Sequence, residues 1–255
     1  MLIDRKDAHG MSRRGLIAAL DLEHYEYTHG AQTLIRATEG TILDRLPPRI
    51  QVRKKACLET PHIMVLIDDP EKTVIEPLFK KNLKKTYDAP LMMNSGHITG
   101  YAVSDPAVIQ ETAHALSRLA DPEAFCKKYA ISGKNVLLYA MGDGNHSFAT
   151  AKAIWENLKK SVPDKQQIIN HPARYALVEL VNIHDEGLVF EPIHRVLFNV
   201  SMQEMTKAMQ DFYRRQGSGF SITPCATRET LQQAMADVHR DARHSIAFVA
   251  ARECG

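Results

Sequence analysis

The residues best suited to chemistry lie in the run NVLLYAMGDGNHSFATAKAIWENLKK, from Asn135 to Lys160. Within six positions, Gly142, Asp143, Gly144, Asn145, His146 and Ser147 bring together two glycines, a carboxylate, an amide, an imidazole and a hydroxyl. Glycine permits positive φ and close backbone approach, and a helix that starts after such a turn presents free N–H groups and a partial positive charge. That combination favours a phosphate or a carboxylate. Asp143 supplies an acid or a metal ligand, His146 a titratable donor, and Asn145 or Ser147 can cap the helix. A glycine turn before a capped helix also serves purely structural ends throughout α/β proteins, so the local pattern alone leaves both readings open.

Elements on either side must position this turn. Val136 to Met141 is short and almost wholly apolar, which suits a buried strand. From Phe148 the period changes: Phe148, Ala151, Ile154, Trp155 and Leu158 share one helical face, while Lys152, Glu156, Lys159 and Lys160 point elsewhere. Upstream, Thr38 can cap a short helix from Glu39, with Ile42, Leu43 and Leu46 inward and Pro47-Pro48 stopping it. Arg36, Glu39, Arg45, Arg49 and Arg53 crowd this stretch, either as a solvated face or as cations that hold a polyanion beside a base. Downstream, Gly187 and Pro192 break an apolar run before His194-Arg195, a pair that is either buried and satisfied or turned toward a ligand.

The remaining segments alternate between strand and helix signals. Gly15 to Tyr27, His62 to Asp68, Tyr175 to Ile183 and Ser245 to Ala251 read as strands, and Pro90 to Val103 as a hairpin around Asn94-Ser95-Gly96. Asp69-Pro70-Glu71, Asp105-Pro106 and Asp121-Pro122-Glu123 repeat one helix-start signal, the first opening a helix to about Lys85. Met202 to Arg215 and Arg228 to Arg240 are helical. The connections are too irregular for a doubly wound sheet, so the fold class is α+β, mixed sheets with flanking helices.

Composition narrows the function classes. With 32 basic and 30 acidic residues among 255, the formal charge of +2 and the absence of a basic block do not favour DNA as a partner. Cys57, Cys126, Cys225 and Cys254 form no C-x-x-C pair, and no helical His pair marks a zinc site. Ser147 lacks the Gly-x-Ser-x-Gly elbow of a hydrolase triad. No apolar run is long enough to span a membrane, so a cytoplasmic protein with no membrane partner is expected.

Three motifs together resemble domain-of-unknown-function family 1015, often labelled ParB-like. Gly142 to Ser147 matches the family's strand-ending ADGHHR turn, Gly187-Leu188 through Pro192 to His194-Arg195 matches GLxxxPxHR, and Arg36 to Gly40 with Asp44-Arg45 matches an upstream Lys-x-His-Glu-x-Thr segment followed by Asp-Arg. Order and spacing agree over nearly the whole chain, which makes 1–255 a single family domain, a short member or a fragment, with the core of its site at 34–195. The resemblance implies a ParB/sulfiredoxin-like strand–DGxH turn–helix core, in a superfamily that includes ATP- or CTP-binding proteins and a free-serine kinase. It places Glu39 as the base, Asp143, Gly144 and His146 with Gly142 at nucleotide phosphates, Asp143 orienting the magnesium or the substrate hydroxyl, and His194 and Arg195 as supporting cations. Asn145 replaces the family's first histidine and Ser147 its arginine, a forked permanent cation suited to phosphate. Lys152 or an arginine such as Arg36 then substitutes, or phosphotransfer is lost. The function implied is a phosphotransferase using ATP or ADP with Mg on a small hydroxylated metabolite. The alternative is a ParB-like nucleotide- or DNA-binding regulator without catalysis.

Overall fold

The computed structural model describes residues 1–189, 194–238 and 245–250. The chain divides into two compact units, Met1–Phe190 and Glu191–Gly255. The first is built on nine strands: β1 (Leu2–Asp7), β2 (Ser12–Asp21), β3 (Tyr25–Glu26), β4 (Ile35–Arg36), β5 (Met64–Ile67), β6 (Lys84–Pro90), β7 (Gly96–Ala102), β8 (Tyr139–Asp143) and β9 (Tyr175–Asn182). They form one mixed sheet in the order β3-β4-β8-β5-β9-β2-β1-β7-β6. Together with six α-helices among the described residues, this is the mixed α+β architecture that the alternating signals imply.

One sheet face carries the core. The register pairs Leu16 with Leu2 and Leu180, and Val65 with Met141 and Leu180. Side chains alternate across a strand, so these apolar residues share a face. Against it pack Phe148, Ala151 and Trp155 of α4 (Asn145–Ser161) and Val108 and Ala115 of α2 (Pro106–Leu119). The helical face read from Phe148 to Trp155 is therefore real, although the helix starts three residues earlier than its apolar period shows. Asp105 and Asp121 cap α2 and α3 (Pro122–Tyr129) through the N–H groups of Ala107 and Ala124, at 2.8 and 2.7 Å. The hairpin of β6 and β7 turns through Met92–Asn94.

Several expectations are corrected. The strand before the turn is Tyr139–Asp143, not Val136 to Met141, although Val136 and Leu138 are buried. No helix opens at Glu39. Pro47 and Pro48 instead lie in the first turn of α1 (Leu46–Lys54), because proline lacks an N–H that the first turn does not use and its φ is already helical. Ile42 and Leu43 are exposed, and only Leu46 of the three is buried. Asp69-Pro70-Glu71 forms a turn, not a helix: the buried Asp69 carboxylate accepts from the N–H groups of Thr73 and Val74 at 2.6 and 2.9 Å, and only a short 3-10 segment, Glu76–Lys80, precedes β6. Gly15 to Tyr27 is interrupted by the 3-10 turn Leu22–His24.

The second unit contains α5 (Met202–Arg215), with Ser201 and Glu204 closing a capping box, and α6 (Arg228–Val238). Residues 245–250 carry no strand; Ala251, Arg240 and Pro192 lie outside the described residues. Cys57, Cys126 and Cys225 are free thiols. Among the described residues no helix is long and apolar enough to cross a membrane.

Candidate functional site

Two of the three motif segments meet because β4 runs parallel to β8, with Ile35 beside Tyr139 and Arg36 beside Ala140. The residues that follow the two strands are consequently adjacent. Thr38 donates its hydroxyl to the Met141 carbonyl at 2.6 Å, and the Asn145 amide Nδ2 donates to Glu39 Oε1 at 3.2 Å. The backbone N–H of Ile42 donates to His146 Nε2 at 3.3 Å. That last bond requires Nε2 to be unprotonated, so a neutral His146 carries its proton on Nδ1.

Gly144 provides the turn. It is the N-cap of α4 in the left-handed region, φ 87° and ψ 23°, and no side chain caps the helix, which corrects the capping role read for Asn145 and Ser147. Gly142 has no positive φ; it is the penultimate residue of β8. The first intrahelical bond runs from Phe148 N–H to the Gly144 carbonyl at 2.9 Å. The N–H groups of Asn145, His146 and Ser147 therefore have no helical partner, the usual condition of a first turn. Asp143 accepts from the Gly144 N–H through Oδ1 at 2.6 Å, leaving Oδ2 available.

A bulge decides where Asp143 stands. Val65 pairs with Met141, but the register shifts between Met64 and Val65, so Met64 faces Asp143 rather than Gly142. Extra residues in one strand re-aim the next side chain. Asp143 accordingly shares a cavity with Met64 and Glu179 instead of following Met141 into the core.

Two polar atoms beside the turn are buried without a partner. Asn145 is 4% exposed and its Oδ1 accepts from nothing; Thr41 Oγ1 is buried and unpaired as well. An unsatisfied buried acceptor costs about 1–3 kcal/mol, and native proteins keep few of them. Turning the amide over would set its oxygen against the Glu39 carboxylate, so the contact with Glu39 fixes Oδ1 as the free atom.

Arg36 and Lys152 are committed away from the turn. Arg36 donates through Nη2 to the carbonyls of Asn135 and Val136, at 2.8 and 3.0 Å, before β8 begins. The turn lies at the other end of that strand, so Arg36 secures its entrance, with Nε buried and unpaired. Burial lowers the pKa of its guanidinium. Lys152 does not point to solvent: it is 8% exposed, and its ammonium bonds the Leu22 carbonyl and Glu156, each at 2.9 Å. Seven residues into α4 it lies roughly 10 Å along the axis from Asn145, too far to replace an arginine at position 147. His194 and Arg195 are exposed residues of the second unit. Among the described residues no three His, Cys, Asp or Glu side chains gather as a metal cage, so a cation at Asp143 would take its other ligands from phosphate or water.

The sequence marks neither Thr38 nor Thr41 as a site residue: the type of Thr38 and its distance from Pro47 fit a helix cap. Only the parallel pairing of β4 with β8 shows it tying the two segments together. No curated protein and no solved structure matches the chain. The family model described as a protein of unknown function, DUF1015, matches residues 1–254, and the chain belongs to that family.

Proposed function

We propose that the chain is a nucleotide-dependent phosphotransferase, serine-kinase-like, which acts on a small hydroxylated metabolite with ATP or ADP and Mg. Its strand, turn and helix are used in the ParB/sulfiredoxin manner. One observation carries the reading: three unpartnered first-turn N–H groups, the orphaned Oδ1 of buried Asn145 and the Glu39 carboxylate belong to a single hydrogen-bonded unit. A buried acceptor left open calls for a partner, and an ordered water or a ligand group that donates to it would supply one.

The terminal phosphates would lie on the N–H groups of Asn145, His146 and Ser147, where the helix dipole favours anions. Glu39 Oε1 is held by Asn145, so Oε2 is the oxygen that takes the proton from the substrate hydroxyl. The hydroxyl oxygen bonds to phosphorus as the bond from phosphorus to the leaving nucleotide oxygen breaks. Asp143 Oδ2 is the oxygen donor that would hold a magnesium ion, which when bound neutralises phosphate charge.

Calorimetric titration with Mg-ATP and Mg-ADP tests binding, and Glu39→Gln tests the chemistry. The variant keeps nucleotide affinity and loses transfer by about 10²–10⁴-fold. Absence of nucleotide binding refutes the proposal. A second reading, a nucleotide-binding regulator, is favoured by Ser147, which supplies a hydroxyl where transfer would use a cation. Tight nucleotide binding with no transfer to any hydroxylated metabolite would establish that reading instead.

A further inference from the structure

The sheet face opposite the core holds a cavity of about 380 Å³ that Asp143 joins to the turn. Its floor is apolar, from Ile3, Ile17 and Ile98, and its polar wall comes from Arg5, Arg13 and Glu179. Two glycines give it depth. A Cβ on Gly15 would stand 2.5 Å from Glu179 Oε1, and one on Gly100 would stand 2.3 Å from Tyr87 Cζ. Glu179 and Tyr87 thus lie flat across neighbouring strands where any larger residue would lift them.

The charges in this cavity are unequal in their commitments. Arg13 grips Glu179 through two bonds, Nε to Oε1 at 3.2 Å and Nη2 to Oε2 at 2.9 Å, with the side chains only 18% and 10% exposed. Arg5, two residues after Ile3 and on the same face of β1, has no hydrogen-bond or ion-pair partner among the described residues. The cavity therefore offers one free guanidinium, with the carboxylates of Glu179 and Asp143 nearby. One fork-shaped cation matches one carboxylate bidentately. With Glu179 neutralised by Arg13, a phosphate dianion would bring two negative charges toward Asp143 with only Arg5 uncommitted to offset them. The volume lies at the small end of the range for small-molecule sites, which limits the guest to a short carbon chain.

We propose that this cavity binds a small hydroxycarboxylate, its carboxylate on Arg5, its carbon chain on the isoleucine floor and its hydroxyl toward Asp143. Its role as the acceptor subsite rests on the phosphotransferase reading; the binding itself does not.

The test uses the full chain without nucleotide, titrated by saturation-transfer NMR with glycolate and glycerate. Glycerol serves as the uncharged analogue of glycerate, and inorganic phosphate as the competing anion. At least one hydroxycarboxylate binds, glycerol does not, and Arg5→Ala weakens binding roughly ten- to a hundredfold, the loss of a charge-assisted pair. Arg5→Lys recovers part of the affinity because it restores charge without the fork. Arg5 is exposed, so both variants keep the wild-type circular dichroism. Binding that ignores Arg5→Ala, phosphate that binds as well as any carboxylate, or no carboxylate binding at all overturns the assignment. Carboxylate binding retained in a chain that binds no nucleotide would refute the phosphotransferase alone.

Discussion

Replacing Gly144 with alanine isolates the geometry on which the turn depends. At φ +87° an L-residue meets a conformational cost of about 1–2 kcal/mol. The new Cβ would also stand 3.2 Å from both Cα and Cγ1 of Ile63, a residue fully buried beneath the turn, adding on the order of 1–2 kcal/mol of overpacking. Gly30 provides the matched control, because its φ is +80° and nothing lies within 4 Å of an added Cβ. Gly30→Ala therefore costs about 1–2 kcal/mol and Gly144→Ala about 2–4 kcal/mol. Gly142→Ala costs less than Gly144→Ala, since φ there is ordinary and the three nearest atoms to an added Cβ belong to one side chain, Leu66, rather than to backbone. Trp155, the only tryptophan in the sequence, is buried in α4 and reports unfolding of this unit in urea. With a slope near 2 kcal/mol per molar, Gly144→Ala lowers the midpoint by about 1–2 M. If the chain binds nucleotide as proposed, that affinity falls with it and not in the Gly30 variant. A Gly144→Ala loss no larger than that of Gly30→Ala would refute the argument that the turn is held against Ile63.

Gly187→Ala is expected to destabilise the first unit strongly, by about 2 kcal/mol or more, because its Cβ would fall 2.1 Å from the Ser12 carbonyl oxygen; the same urea titration measures it. Asp68 governs part of the acid response. Burial pushes its pKa up, but bonds from Lys128, Tyr129 and His184 prevail and hold it at about 2. A carboxyl whose folded pKa lies below its ordinary value of about 3.8 contributes stability above that pH and loses it as pH falls toward 2. Asp68→Asn should therefore flatten the stability profile between pH 4 and 2, read from urea midpoints, and a profile as steep as the parent's would show that other carboxylates control it. Phe148→Ala, in the fully buried aromatic contact with Tyr25 at 4.4 Å between ring centroids, should cost about 3–5 kcal/mol, visible as a lowered thermal midpoint.

Short-range signals in this sequence translated well into structure. The aspartates before Pro106 and Pro122 cap helices through N–H groups two and three residues on, and Ser201 with Glu204 starts a helix that ends at Arg215 as its period indicates. Signals open to two uses did not. A proline pair can stop a helix or start one, and Pro47-Pro48 lies in the first turn of α1. The lysine-rich run before Pro90 resembles a helix terminus, yet Lys84 and Lys85 lie on β6, at the edge of the sheet, where exposed lysines discourage further pairing. The Gly142 to Ser147 turn was legible as a local object, and family motifs placed Glu39 near it. The roles of Arg36 and Lys152 were not legible, because a guanidinium or ammonium is drawn to whichever carbonyls the fold brings near. The cavity around Arg5 left no local trace: Arg13 and Glu179 are separated by 166 positions.

The parallel pairing of β4 with β8 has a kinetic side. Its bonds join residues 103 to 106 positions apart, so the candidate site exists only after a long loop has closed. The entropy of closure rises slowly with loop length but must be met before any of the three bonds can form, which delays non-local pairings relative to helices such as α4. During refolding, helical signal should return first and ligand binding last. A ligand that spans Glu39 and Asn145 would thus act as a clasp on the chain, slowing the reopening of this pairing as well as occupying it.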